Sequence, residues 1–169
     1  MRKLLLVSFL AIGTGSGWAQ TEVKVWTRMA AGIDYDYGLS VATDPWRNVI
    51  FSGSTHSILG AVLAGRYDLF VTKYDASGNK QWLVQRGTAE QESAGGVAVD
   101  SAGNVYITGY TGGDLDGNVN AGIDTWDIYV MKFDSSGNWL WTRQDGGSQD
   151  DMGHAIAVDS AGNTSSGIC

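Results

Sequence analysis

The chain has 169 residues, with 11 Lys and Arg against 18 Asp and Glu and a formal net charge of −7 at pH 7. An acidic surface repels nucleic acid and anionic lipid, so neither is an expected partner. Of the 18 acids 15 are Asp and three are Glu, and 24 Gly stand beside a single Pro. That composition spells tight turns rather than helices, and the many Val, Ile, Tyr and Trp supply strands.

In chain order, Met1–Lys3 is basic, Leu4–Gly13 is a run of ten largely apolar residues, and Thr14–Gln20 places Gly17 and Ala19 at the −3 and −1 positions of a cut before Gln20. This is the layout of a secretory signal peptide over residues 1–19, too short to span a bilayer. The alternative is a buried N-terminal strand or helix. Export predicts a secreted or cell-surface location with no membrane insertion after cleavage. The mature chain would carry nine basic residues against the same 18 acids. Cys169 is the one cysteine, so no intramolecular disulfide is available.

The remainder is a repeat. Trp26, Trp82 and Trp141 are separated by 56 and 59 residues, and the same two spacings relate Asp44, Asp100 and Asp159, and Asn48, Asn104 and Asn163. The extra three residues fall between Thr111 and Trp126, against Thr55 and Tyr67 in the preceding unit. Length variation confined to one place marks a surface loop on a constant frame. The units are 26–81, 82–140 and 141–169, the last incomplete.

The complete second unit holds four predicted strands, Gly96–Asp100, Asn104–Tyr110, Trp126–Asp134 and Asn138–Gln144. "DSAGN" and "DSSGN" between them suit a type I turn followed by a left-handed Gly bulge. In the first unit Arg47 takes the Gly position, which predicts a strained or differently shaped turn. In the third strand Ile128 and Val130 point one way and Tyr129, Met131 and Phe133 the other. Both faces are then buried, as in stacked blades. Four short antiparallel strands per unit predict an all-β protein of β-propeller-type repeats rather than a parallel β-solenoid.

The stretch "GGVAVDSAGNVYITGYTGGDLDGNVNAGIDTWDIYVMKFDSSGNWLWTRQDGG", Gly95–Gly147, resembles the bacterial SBBP (seven-bladed β-propeller) repeats, and weaker copies cover nearly all of the chain after the leader. The resemblance implies the innermost position for the Ala-Val-Asp strand and the outermost for the Trp strand. It implies no particular activity, because this family occurs on many secreted and surface proteins.

On that strand order, Val23–Met29 is an outer strand without its own sheet, and about two and a half blades are present. Where "VYITGYT" is expected after Asn163, the chain reads "TSSGIC". The expectation is an open fragment of a longer propeller whose partners include missing downstream blades, with fraying from Asn163 onward.

Asp114, Asp116, Asn118, Asn120 and Asp124 alternate oxygen-bearing side chains that could wrap Ca²⁺, with a solvated Gly- and Asn-rich turn as the alternative. Asp36, Glu92 and Asp151 form an acidic column, expected to accept N–H bonds between blades, with a ring of acids around one mouth of the propeller as the alternative. His56 and His154 fall at unrelated repeat positions and lack support as a metal or base pair. No catalytic residue is assigned. The sequence therefore predicts an exported, non-catalytic module that binds or displays a protein or glycan partner. A fragment of a polysaccharide hydrolase or lyase, or a structural spacer in a large surface protein, are the competing readings.

Overall fold

The computed structural model describes residues 7–11, 23–28, 30–122, 124–159 and 162–168. The expected cleavage site before Gln20 and the terminal Cys169 lie outside them. Twelve strands are found among the described residues: β1 (Val7–Ala11), β2 (Val23–Arg28), β3 (Asp36–Thr43), β4 (Val49–Thr55), β5 (Asp68–Tyr74), β6 (Lys80–Arg86), β7 (Glu92–Val99), β8 (Val105–Thr111), β9 (Asp127–Phe133), β10 (Trp139–Asp145), β11 (Gly153–Val158) and β12 (Thr164–Ile168). β3–β4–β5–β6 and β7–β8–β9–β10 are two four-stranded antiparallel sheets in sequential order, flanked by the two-stranded pairs β1–β2 and β11–β12. No helix among the described residues is long and apolar enough to cross a membrane.

The turn spelling acts as its chemistry demands. Asp44, Asp75, Asp100, Asp134 and Asp159 each receive the same turn hydrogen bond, from the N–H of the residue three places on. In four copies the turn residue with positive φ is Gly, at 80° in Gly78 and Gly103, 86° in Gly137 and 83° in Gly162. Arg47 adopts φ 67° in the remaining copy, so the turn keeps its shape and the side chain bears the strain. The inner strands share a second device. Pairing shifts register at Leu39, Gly95 and His154, the same place in each unit, so β7 runs back to Glu92 instead of starting at Gly96.

Burial is organised between blades. Ile50, Leu69 and Val71 of the first blade pack with Val105, Ile107, Tyr129, Met131 and Phe133 of the second, all fully buried. Each such side chain contributes about 1.5–3 kcal/mol of burial. The Ser54 and Ser93 hydroxyls meet across the same junction at 2.8 Å. The outer strands are tied by the Trp column. The Trp82 indole N–H donates to the Ser135 carbonyl at 3.2 Å, and a Cβ on Gly137 would lie 2.7 Å from the ring. Trp26 on β2 repeats this, donating to the Ala76 carbonyl at 3.0 Å over Gly78. β2 therefore sits where the outermost strand of a preceding blade belongs.

Two expectations about the ends change. Part of the apolar run Leu4–Gly13 forms β1 and pairs with β2, so that strand has a sheet partner in the full chain. Thr164–Ile168, expected to fray, pairs with β11 as β12. Strand pairing is made by backbone groups, and it proceeds although "TSSG" lacks the apolar residues found in β8.

Candidate binding rim at the loop end of the blades

The strand order places two kinds of connection at opposite ends of the blades. The Asp turns form one end. The variable loops, 56–67 and 112–126, and the crossovers between blades form the other.

At the turn end the carboxylates are spent on the turns themselves. In each of the four turns at Asp44, Asp75, Asp100 and Asp134, the Asp accepts N–H bonds from residues two and four places on and the side-chain amide of the Asn. For Asp44 and Asp100, burial pushes the pKa up, but the donors outweigh it and hold both below the ordinary carboxylate range. Lys73 is buried and reaches the Asp44 carboxylate at 2.8 Å and the Ser135 carbonyl at 3.2 Å. A cleft of about 300 Å³ lined by Asn48, Lys73, Gln81, Trp82, Ser135 and Ser136 opens here, with the ammonium already engaged.

At the loop end two acidic columns brace the chain. Asp36, Glu92 and Asp151 accept the N–H of Gly32, Thr88 and Gly147, each four residues earlier, and so pin the segments that lead into the inner strands. Glu92 also takes the hydroxyls of Thr88 and Thr111. Burial raises its pKa against those hydrogen bonds, with the Asp68 charge adding to the rise. Asp68 and Asp127 begin the third strands and accept the side-chain amides of Gln85 and Gln144. Those glutamines in turn accept the N–H of Leu59 and Leu115 and so fasten the variable loops.

The oxygen-rich loop is held in the same manner. Asp114 accepts the Asn120 N–H at 2.8 Å, Asn118 donates to the Leu115 carbonyl, and Asn120 donates to the Thr125 carbonyl. Asp116 receives the Arg86 guanidinium and the Thr142 hydroxyl, while Asp124 is exposed at φ 57°. Asp114 and Asn120 are brought together; Asp116 is turned toward the outer strands. No group of three or more His, Cys, Asp or Glu among the described residues is placed to hold a metal ion. A cation coordinated by Asp116 would have to displace Arg86. His56 pairs with Asp34 at 2.9 Å, and His154 sits exposed on the β11 bulge, so the two histidines are apart.

The rim itself is aromatic, and the sequence reading did not find it. Tyr67 and Trp126 occupy the same place in successive units, one residue ahead of Asp68 and Asp127. Each is held by the crossover of the next blade, the Tyr67 carbonyl by the Glu92 N–H at 2.8 Å and the Trp126 carbonyl by the Asp151 N–H at 2.6 Å. Around Tyr67 stand His56, with ring centres 5.2 Å apart, and Tyr37, at 6.2 Å. Burial, and then Tyr37, raise the Tyr67 pKa, with Asp34 and Tyr35 adding to the rise and Arg66 opposing it. Trp126 lies 4.8 Å from Tyr110, whose hydroxyl accepts the Gln91 amide at 3.2 Å. Tyr35 is 50% exposed and Tyr37 37%; Tyr67, Tyr110 and Trp126 are half-buried. The available signal was the Tyr67/Trp126 column, an aromatic residue in both copies at the mouth of a variable loop.

Sequential four-stranded antiparallel blades packed face to face define a β-propeller-repeat protein. Residues 81–116 match the family model described as a beta-propeller repeat, SBBP. It is 37% identical over 99 residues to the regulatory protein FlaEY of Caulobacter vibrioides, covering 54% of this chain and 10% of that protein. It is 23% identical over 126 residues to the uncharacterized WD repeat-containing protein L264 of Acanthamoeba polyphaga mimivirus, covering 60% of this chain and 9% of that protein. The chain thus spans about a tenth of the length of either relative.

Proposed function

We propose that this chain is an exported, non-catalytic β-propeller-repeat module that binds or displays a protein or glycan partner at the cell surface or outside the cell. The observation that carries this reading is the division of labour between the ends. The repeated carboxylates are consumed in bracing turns and crossovers, and the loop end offers a rim of partly exposed rings on a fixed frame. Binding residues belong on loops positioned by a rigid scaffold. FlaEY is described as a regulatory protein, and a regulatory role carried over to this chain would act through such binding.

Export is tested by expressing the full chain with its own N-terminus and measuring the intact mass of the released protein. The reading expects a species beginning at Gln20. A released species that retains Met1–Ala19 contradicts the leader and leaves Val7–Ala11 as a permanent strand beside β2.

A further inference from the structure

We propose that the aromatic rim is a binding strip for an uncharged polysaccharide, an inference that rests on the binding-module reading above. Three observations point to this ligand class. First, the strip repeats with the blades. Tyr67 and Trp126 stand at equivalent positions, and the backbone of each is tied to the crossover that follows. Gln91 pairs with Tyr67 through a backbone bridge, and Asp150 accepts the Trp126 N–H at 3.1 Å. A ligand that is itself a repeat of one chemical unit meets such a surface in register.

Second, the chemistry alternates. A sugar ring has an apolar C–H face and an equatorial girdle of hydroxyls. Tyr and Trp rings offer flat apolar area with a polar edge, at little cost in side-chain freedom. His56, hydrogen-bonded to Asp34, flanks the Tyr67 ring, and Gln91 donates to the Tyr110 hydroxyl, so polar groups stand beside the rings. Third, charge selects among glycans. Asp34 acts on Tyr67 and Asp150 holds the Trp126 backbone, against Arg66 beside Tyr67, and the chain's net charge of −7 tips that balance against uronate or sulfated chains. The rings are also held before any ligand arrives, because the Tyr67 and Trp126 backbones are tied into the next blade. Binding then forfeits little ordering entropy.

The test is affinity electrophoresis of the full chain as expressed. Native gels contain xyloglucan, dextran or laminarin as uncharged probes, and alginate as the acidic probe. At least one uncharged polysaccharide should retard the protein, and alginate should not. Tyr67→Ala and Trp126→Ala should each weaken retardation by about tenfold or more, while Tyr67→Phe, which keeps the ring, should stay within about threefold of the parent. Trp46→Ala, at the opposite end of the blades and 58% exposed in the parent, should bind like the parent. Circular dichroism and the melting temperature verify that each variant is folded. Retardation by alginate alone overturns the uncharged-glycan assignment. Retardation that survives Tyr67→Ala with Trp126→Ala in a folded protein overturns the strip. In both cases the binding-module reading stands. The absence of retardation by every probe overturns the inference, and the broader reading then answers to its own export experiment.

Discussion

The junction between the first and second blades and the junction between the second blade and β11–β12 are built from the same repeat text, yet they differ in what they bury. At the first, Val97 is 8% exposed beneath a complete neighbour. At the second, its counterpart Ile156 is only half-buried. The lysine column shows the same contrast. Lys73 pairs with Asp44 of its own blade and reaches across the first junction to the Ser135 carbonyl, whereas Lys132, its counterpart, lies 4.8 Å over the Tyr106 ring within its own blade. Tyr106 donates to Asp100 and so fills the place that Lys73 holds beside Asp44. The repeat text specifies the backbone of a blade; the neighbouring blade supplies its core and assigns roles to its side chains. This is the behaviour of a stacked array, in which stability is the sum of units and interfaces.

The sharpest way to break the comparison is to empty each junction. Ile107→Ala, fully buried, should cost about 4 kcal/mol in a denaturant melt, and Ile156→Ala about 1 kcal/mol or less. Equal costs would mean that the second junction is as well packed as the first. Next comes the lysine column. Lys73→Met leaves the Asp44 carboxylate without its ammonium and should cost about 3 kcal/mol, while Lys132→Met should be near neutral, as for surface charges.

A smaller effect is read in pH. Burial holds the Glu92 pKa above its ordinary 4.5, so the folded state favours the protonated acid. Its contribution is fully present below that ordinary value and is lost as pH rises through the raised one. Glu92→Gln should therefore flatten the stability–pH curve above about 4.5. The smallest effect concerns the oxygen-rich loop. With Asp116 tied to Arg86 and Thr142, millimolar calcium should leave the melting temperature unchanged, and a rise abolished by Asp114→Ala with Asp116→Ala would establish a site there.

The architecture was legible because its signals are local. Turn spelling, strand alternation and the two Trp spacings lie within single units, and each maps onto an observed strand or hairpin. The acidic column was legible as a set of N–H acceptors, but not its donors: they lie four residues earlier in the same segment rather than across a blade junction. The rim was not, because it is assembled between units. Nothing in the text near Tyr67 announces that Glu92 will fix its carbonyl or that His56 and Tyr37 will flank its ring. The loop 114–124 shows the same limit from the other side. Its own spelling suggests cation ligands, whereas Arg86, thirty residues earlier, takes one of them. The pairing of β12 could not be read from side chains that lack an apolar pattern, because backbone hydrogen bonds carry it.

The central claim is that the interface between complete blades is the stable core and that the units beyond it depend on their neighbours. Native-state hydrogen exchange on the full chain measures this residue by residue. The account predicts that the slowest amides are those of Ile50, Phe70, Val71, Ile107 and Met131, opening only with global unfolding. It predicts that the amides of Ile156–Val158 and Thr164–Gly167 exchange through local opening at a much smaller free energy. Protection of β11 and β12 equal to that of β4 and β8 would contradict it, as would rapid exchange throughout the first junction.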